Sequence, residues 1–287
     1  MPRHIVCLTF DFDAMSGFIA RGMTSPSALS RGEFGADVAT PRLLALLARH
    51  GIPASWYIPG HTLETYPGAC ARIFEGGHEI GHHGWTHVAP AALSRDQEEE
   101  GLERANEQIR QLTGRRARGY RSPSWDLSPN SVALLVKHGF RYDSSMMGDD
   151  YTPYRVRQGD IISLESAARF GAATALIEMP VSWSLDDYPH FEFVRTQASV
   201  LQGLMNADSV LENWVNDFLY MKDHLEWGVI TYTFHPFVIG RGHRMVALEK
   251  LVRKLQENGA AFMKLEDAAG EFDRRNPWKA EPSRARA

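Results

Sequence analysis

Short apolar, β-branched runs alternate with amphipathic helical segments from one end of the chain to the other, and this alternation constrains the fold more than any other feature. Residues 5–10, 54–58, 78–82, 118–121, 140–143, 176–179, 229–234 and 261–264 read as strands. Between them, residues 40–51, 66–75, 94–112, 128–139, 209–224 and 245–258 read as helices. Thr40 and Pro41 suit a helix start, Ser94 with Gln97 has the spacing of a capping box, and Gly51 and Gly114 suit helix ends. Strands separated by helices imply a parallel sheet.

Two observations choose the form of that sheet. The first strand is followed by acidic residues rather than a Gly-x-Gly-x-x-Gly turn, and no phosphate loop occurs elsewhere, so the open nucleotide-binding sheet loses its main support. The chemically unusual residues instead lie just past the C-terminal ends of five expected strands, where a closed barrel assembles its site. The expected fold is α/β: a distorted (β/α) barrel of seven or eight units with its active site at the C-terminal ends of the strands. Residues 1–273 are expected to form one domain and residues 274–287, rich in Arg, Pro and Ser, a mobile tail. Residues 14–39 and 144–175 stand outside the repeat and read as long loops leaving the active-site face.

Composition removes several function classes. The 31 Lys and Arg against 35 Asp and Glu leave a net charge of −4 with no basic stripe, which argues against a nucleic-acid partner. Cys7 and Cys70 form no Cys-x-x-Cys pair and read as core residues. Asp11 and Asp13 interrupt the N-terminal apolar stretch before a signal-peptide core forms, and no run approaches the ~18 apolar residues of a membrane span. A cytoplasmic address without membrane attachment is therefore expected, with homo-oligomerisation common for cytoplasmic enzymes of this size.

Five clusters carry chemistry. In Thr9-Phe10-Asp11-Phe12-Asp13 two carboxylates at i and i+2 project the same way if the strand continues, and a cation relieves their repulsion. In His83-Gly84-Trp85-Thr86-His87 one helical turn would place both imidazoles on one face, as a Zn²⁺-like ion requires, while Gly84 replaces the glutamate of the metalloprotease motif. Arg121-Ser122-Pro123 ends a strand with a guanidinium suited to hold an ionised carboxylate. Trp183 is placed to wall a pocket, and Asp186 or Asp187 to orient a histidine. Pro236 stops the strand over residues 229–234, so His235 projects at the rim, where a general acid belongs.

Taken in order, these motifs resemble the polysaccharide deacetylase superfamily of carbohydrate-esterase type: Thr-Phe-Asp-x-Asp at 9–13, His-x-x-x-His at 83–87, Arg-x-Pro at 121–123, a tryptophan-bearing strand end near 183, and an apolar strand ending at His235. The resemblance spans residues 5–270. It implies Asp11 as catalytic base, Arg121 as its partner, His235 as general acid, and Asp13, His83 and His87 as ligands of one divalent ion, Zn²⁺ before Mn²⁺, Co²⁺ or Ni²⁺. The fourth motif departs from the family's Asp-x-x-Asp-Trp form, so the partner of His235 stays open. Residues 17–22 and 29–35 resemble the branch that holds cyclic imide hydrolases, metal-independent allantoinases and peptidoglycan-deacetylase-like proteins, the cyclic imide hydrolases most.

The expected activity is hydrolysis of a non-peptide amide bond. With a cytoplasmic address the favoured substrate is a small cyclic imide or ureide, covered by Arg21, Arg31 and Glu33 and flanked by Trp85, Pro123, Trp125 and Trp183. The alternatives are N-deacetylation of a polysaccharide or peptidoglycan, and a non-catalytic metal- or sugar-binding module.

Overall fold

The computed structural model describes residues 3–195 and 200–279. Its organising strand is β1 (Arg3–Asp11), whose alternate side chains enter two different environments. Val6, Leu8 and Phe10 join the apolar layer beneath the helices, while Ile5 and Cys7 join a smaller cluster with Tyr57, Tyr142, Ile177 and Val229 on the inner side of a curled sheet. The period of two thus divides one strand between a helix-covered face and a barrel interior.

The remaining strands are β2 (Ser55–Ile58), β3 (Glu79–His82), β4 (Gly119–Tyr120), β5 (Tyr142–Asp143), β6 (Tyr154–Gln158), β7 (Ala172–Glu178), a separate hairpin of β8 (Val194–Arg195) and β9 (Val200–Leu201), then β10 (Trp227–Phe234) and β11 (Ala261–Phe262). The sheet runs β10-β1-β2-β3-β4-β5-β7-β6, and β11 pairs with the first half of β1. Every neighbouring pair from β10 to β7 is parallel, and β6 closes the row antiparallel to β7. Between its edges the ring is completed by single contacts, Val229 N–H to Tyr151 O at 2.8 Å and a bridge between Asp186 and Thr233. This is the distorted (β/α) barrel that the alternation implied.

Two glycines make room inside it. A Cβ at Gly81 would fall 2.6 Å from the Tyr57 ring, and one at Gly119 would fall 2.0 Å from Tyr142, so the tyrosines lie across the interior where side chains on β3 and β4 would otherwise stand. Below them the helix Leu265–Arg275 plugs the N-terminal mouth with Leu265, Ala268, Ala269 and Phe272. This helix carries Arg274 and Arg275, which the sequence reading gave to a tail; residues 280–287 lie outside the described residues.

The two expected loops fold differently. Residues 14–39 are helical, with Ser16–Ala20, Pro26–Phe34 and a π-turn at Gly35–Ala39 that runs directly into Thr40–His50. Thr40 therefore does not begin a helix: its hydroxyl bonds back to Gly35 O at 2.8 Å, and the wide turn accommodates Pro41, which has no N–H to give the preceding turn. The other segment begins on the active-site face, but β6 descends from Tyr154, opposite Glu178, to Gln158, opposite Ala172. Its turn, residues 159–171, is consequently at the far end of the sheet.

Candidate active site

The inward alternation of β1 continues past its last ladder bond, so Thr9, Asp11 and Asp13 all turn to the barrel axis and all are buried. Arg121, immediately beyond β4, is fully buried beside them. Its Nη1 donates to Asp11 Oδ1 and to Thr9 Oγ1, both at 2.8 Å, while Nε and Nη2 donate to Ser144 O at 3.0 Å and Ser144 Oγ at 2.9 Å. The guanidinium carbon also lies 4.2 Å from the centre of the Tyr57 ring. Burial would raise the Asp11 carboxyl, but Arg121, His83 and His235 outweigh it and hold the group below its ordinary range. Asp11 is thus an anion with one oxygen, Oδ2, left uncommitted by Arg121.

His83 and His87 follow β3. They meet, but not on a helical turn: residues 83–87 form a bend in which Gly84 and His87 take φ of +69° and +58°. A Cβ at Gly84 would lie 3.0 Å from Pro123 Cγ, so the close approach of the two loops adds to the need for glycine. His83 Nδ1 is 2.7 Å from Arg121 O; a carbonyl only accepts, so the proton is on Nδ1 and the lone pair on Nε2. That Nε2 faces Asp13 Oδ1 at 3.4 Å, and His87 Nε2 faces Asp13 Oδ2 at 3.4 Å.

These donors fit a cation. Asp13 Oδ1 and His83 Nε2 are buried with no hydrogen-bond partner, and the ligand atoms of Asp13, His83 and His87 lie within 4.8 Å of one another. Burial lowers His83, and burial with the nearby Arg21 and His235 brings His87 down to about 4, so both imidazoles are neutral and offer lone pairs. Burial raises the Asp13 carboxyl, a cost that a cation among the three groups removes. The Nδ1 bond to a backbone carbonyl fixes the tautomer in which Nε2 can ligate.

Past β10, His235 meets Asp187. His235 Nδ1 is 2.8 Å from Asp187 Oδ1, and its backbone N–H donates to both Asp187 oxygens at 3.0 Å, whereas Asp186 Oδ1 is 3.5 Å away and accepts from Tyr188 N–H instead. Asp187 is therefore the partner that the sequence left open. Burial alone would lower His235, yet Asp186 and Asp187 reverse this and lift it well above its ordinary value. Burial likewise pushes Asp186 up to about 8.

Asp11, Asp13, His83, His87, Asp186 and His235 together floor a cavity of about 120 Å³. Arg21, Tyr188, Trp125 and Trp183 wall it; the two indoles stack with centroids 4.3 Å apart, and Arg21 Nη1 donates to Tyr188 Oη at 2.8 Å. Tyr188 and Ser124 also line it and were not expected from sequence.

Four expected substrate contacts lie elsewhere. Arg31 bonds to Phe193 O and pairs with Glu192, and Glu33 is exposed on the helix Pro26–Phe34, so packing of that helix turns both from the cavity. Trp85 lies 3.4 Å from the Arg104 guanidinium and lines a different cavity of about 220 Å³ behind the His83–His87 bend. That cavity is larger but lacks the converging acid, base and ligand groups. Pro123 packs on Gly84 and does not line the cavity.

The comparisons with known proteins agree with this geometry. Residues 1–142 match the model of the family described as Polysaccharide deacetylase. Over 96% of its length the chain is 35% identical to the peptidoglycan deacetylase of Helicobacter pylori, covering 98% of that protein. The chain belongs to the polysaccharide deacetylase family. As a member of that family it is a metal-dependent hydrolase of amide bonds. A polysaccharide deacetylase family structure from Mycobacterium smegmatis superposes over 100% of this chain and 96% of its own with a TM-score of 0.82 at 28% identity. The PuuE allantoinase structure superposes over 97% of this chain and 93% of its own with a TM-score of 0.79 at 18% identity, a likeness of fold.

Proposed function

We propose that this family member removes acetyl groups from N-acetylated sugars of a polysaccharide of the peptidoglycan type, releasing acetate and a free amine. The observation that carries this reading is the end-to-end similarity to a peptidoglycan deacetylase. The cyclic imide favoured from sequence is set aside, because the relative matched over nearly its whole length is a peptidoglycan deacetylase and the segment meant to close over a ring is a set of packed helices. Of Arg21, Arg31 and Glu33, the residues expected to cover the ring, only Arg21 lines the cavity. A binding module has no use for the buried Asp11–Arg121 and His235–Asp187 pairs. No helix among the described residues is long and apolar enough to cross a membrane.

In this mechanism Asp13, His83 and His87 would hold one divalent ion, with Zn²⁺ the expected metal for a two-histidine, one-carboxylate set. The ion, when bound, would polarise the amide carbonyl and acidify water. Asp11 stays ionised because Arg121 holds Oδ1, and Oδ2 receives the proton of the attacking water. His235, kept protonated by Asp187 through Nδ1, delivers a proton from Nε2 to the departing nitrogen. Trp125, Trp183 and Tyr188 exclude bulk water and strengthen these interactions.

Acetate release and amine formation, measured on N-acetylated glucosamine oligomers and on peptidoglycan fragments beside a six-membered cyclic imide, test the substrate class. Acetate from the sugars with no imide opening is the expected result. Imide opening without acetate release overturns the proposal.

A further inference from the structure

Behind Arg121, on the outer face of the sheet, lies a second pair of buried carboxyls that the mechanism above does not use. Asp143 ends β5 and Glu178 ends β7; they are register partners, and both are fully buried. One oxygen of each is well satisfied: Glu178 Oε1 accepts the N–H groups of Ser145 at 2.8 Å and Met146 at 2.9 Å, and Asp143 Oδ1 accepts the Ser145 hydroxyl at 2.7 Å. The other oxygens, Glu178 Oε2 and Asp143 Oδ2, have no donor. Two carboxylates cannot remain together there; one hydrogen between them satisfies both.

The backbone held by this pair reaches the reaction centre in two short steps. Ser144, between Asp143 and the gripped Ser145, accepts both Nε and Nη2 of Arg121, and Arg121 holds Asp11. Ser145 Oγ accepts the N–H of Ser122 at 2.8 Å and so fixes the residue before Pro123 as well.

The geometry points to Asp143 and Glu178 as positioning residues for the proposed hydrolysis: a carboxyl pair bridged by a single hydrogen that clamps residues 144–146 and, through Ser144, sets the place of Arg121 and Asp11. The inference rests on the proposed function for its catalytic consequence only.

Burial raises the Glu178 carboxyl well above its ordinary value, with Asp143 adding to the effect, and burial brings Asp143 up to about 6. The pair accordingly keeps one proton between its two carboxyls at neutral pH. The other titratable groups facing the pair are Arg121, Tyr120 and Tyr154; burial raises both phenols, so they stay neutral. For a group raised on folding, the stabilisation is complete below the ordinary glutamate range and is lost as pH rises through the raised value.

Glu178→Gln separates the clamp from the proton. Its amide oxygen can accept the two backbone N–H groups and its NH₂ can donate permanently to Asp143, so the bridge no longer titrates. Glu178→Ala removes it. On an N-acetylated glucosamine oligomer, E178A is expected to lower kcat on the order of tenfold to a hundredfold with a smaller change in KM, because a misplaced base affects the chemical step more than binding. E178Q is expected to stay within about threefold of wild type. The unfolding temperature, followed from neutral to alkaline pH, should fall less steeply for E178Q than for wild type. Equal damage from E178Q and E178A, an unaffected E178A, or identical alkaline slopes for wild type and E178Q would each overturn the clamp. If E178A does not fold, E178Q decides through its activity and its slope. If wild type releases no acetate, the proposed function fails while the slopes still decide whether the bridge exists.

Discussion

Asp11→Asn should lower kcat by on the order of 10² to 10⁴ while the bound metal and the folded state persist. The reason lies in how the carboxylate is divided. Oδ1 is occupied by Arg121 at 2.8 Å, and an asparagine oxygen can keep that bond, but the amide nitrogen then stands where Oδ2 would receive a proton. The substitution also leaves the fully buried Arg121 without its counter-charge, so some stability is lost, and unfolding must be followed beside turnover. Metal content separates the roles. Loss of metal with the carboxylate would make Asp11 a ligand, and normal turnover would remove it from proton transfer.

His235→Ala should lower kcat by on the order of 10² or more, again with metal retained. The sharper result comes from Asp187→Asn, which keeps an acceptor for Nδ1 but removes the negative charge that helps hold His235 well above its ordinary value. A general acid works below its pKa and fails above it, so lowering the pKa moves the alkaline limb of the pH–kcat profile to lower pH. Asp186, 3.5 Å from Nδ1, still contributes, and the limb should move without disappearing. An alkaline limb that stays in place in Asp187→Asn would show that His235 does not set it.

Much of the site was legible because it lies on one period. Asp11 and Asp13 continue the inward alternation of Ile5, Cys7 and Thr9, and His235 continues that of Val229, Thr231 and Thr233, so the strand pattern itself aims them. The spacing of His83 and His87 singled out two imidazoles that do come together beside Asp13, but by another geometry: four residues is a helical interval, whereas Gly84 between them was the sign of a left-handed bend. The helix Pro26–Phe34 escaped because it buries small residues; a Cβ at Gly32 would lie 2.5 Å from Met15 N, so close backbone approach replaces an apolar stripe. Its Ser25-Pro26 start was nonetheless readable. The plug helix was likewise readable from Leu265, Ala268, Ala269 and Phe272 at intervals of three and four, a pattern masked by the basic residues after it. Trp125 and Trp183, expected beside the substrate, do meet from distant segments; what no local pattern carried was the part that Tyr188 and Ser124 take in the cavity lining.

The central claim is that one ion held by Asp13, His83 and His87 is required for hydrolysis by groups that do not themselves retain it. Its most direct test is to measure metal per chain and acetate release from an N-acetylated glucosamine oligomer for the protein as purified, after chelation, and after Zn²⁺ is restored, with His83→Ala and His87→Ala alongside. The account predicts that chelation abolishes turnover, that Zn²⁺ restores it at one ion per chain, and that the two alanine variants neither hold the ion nor recover. Metal-free protein that releases acetate at the native rate would contradict it.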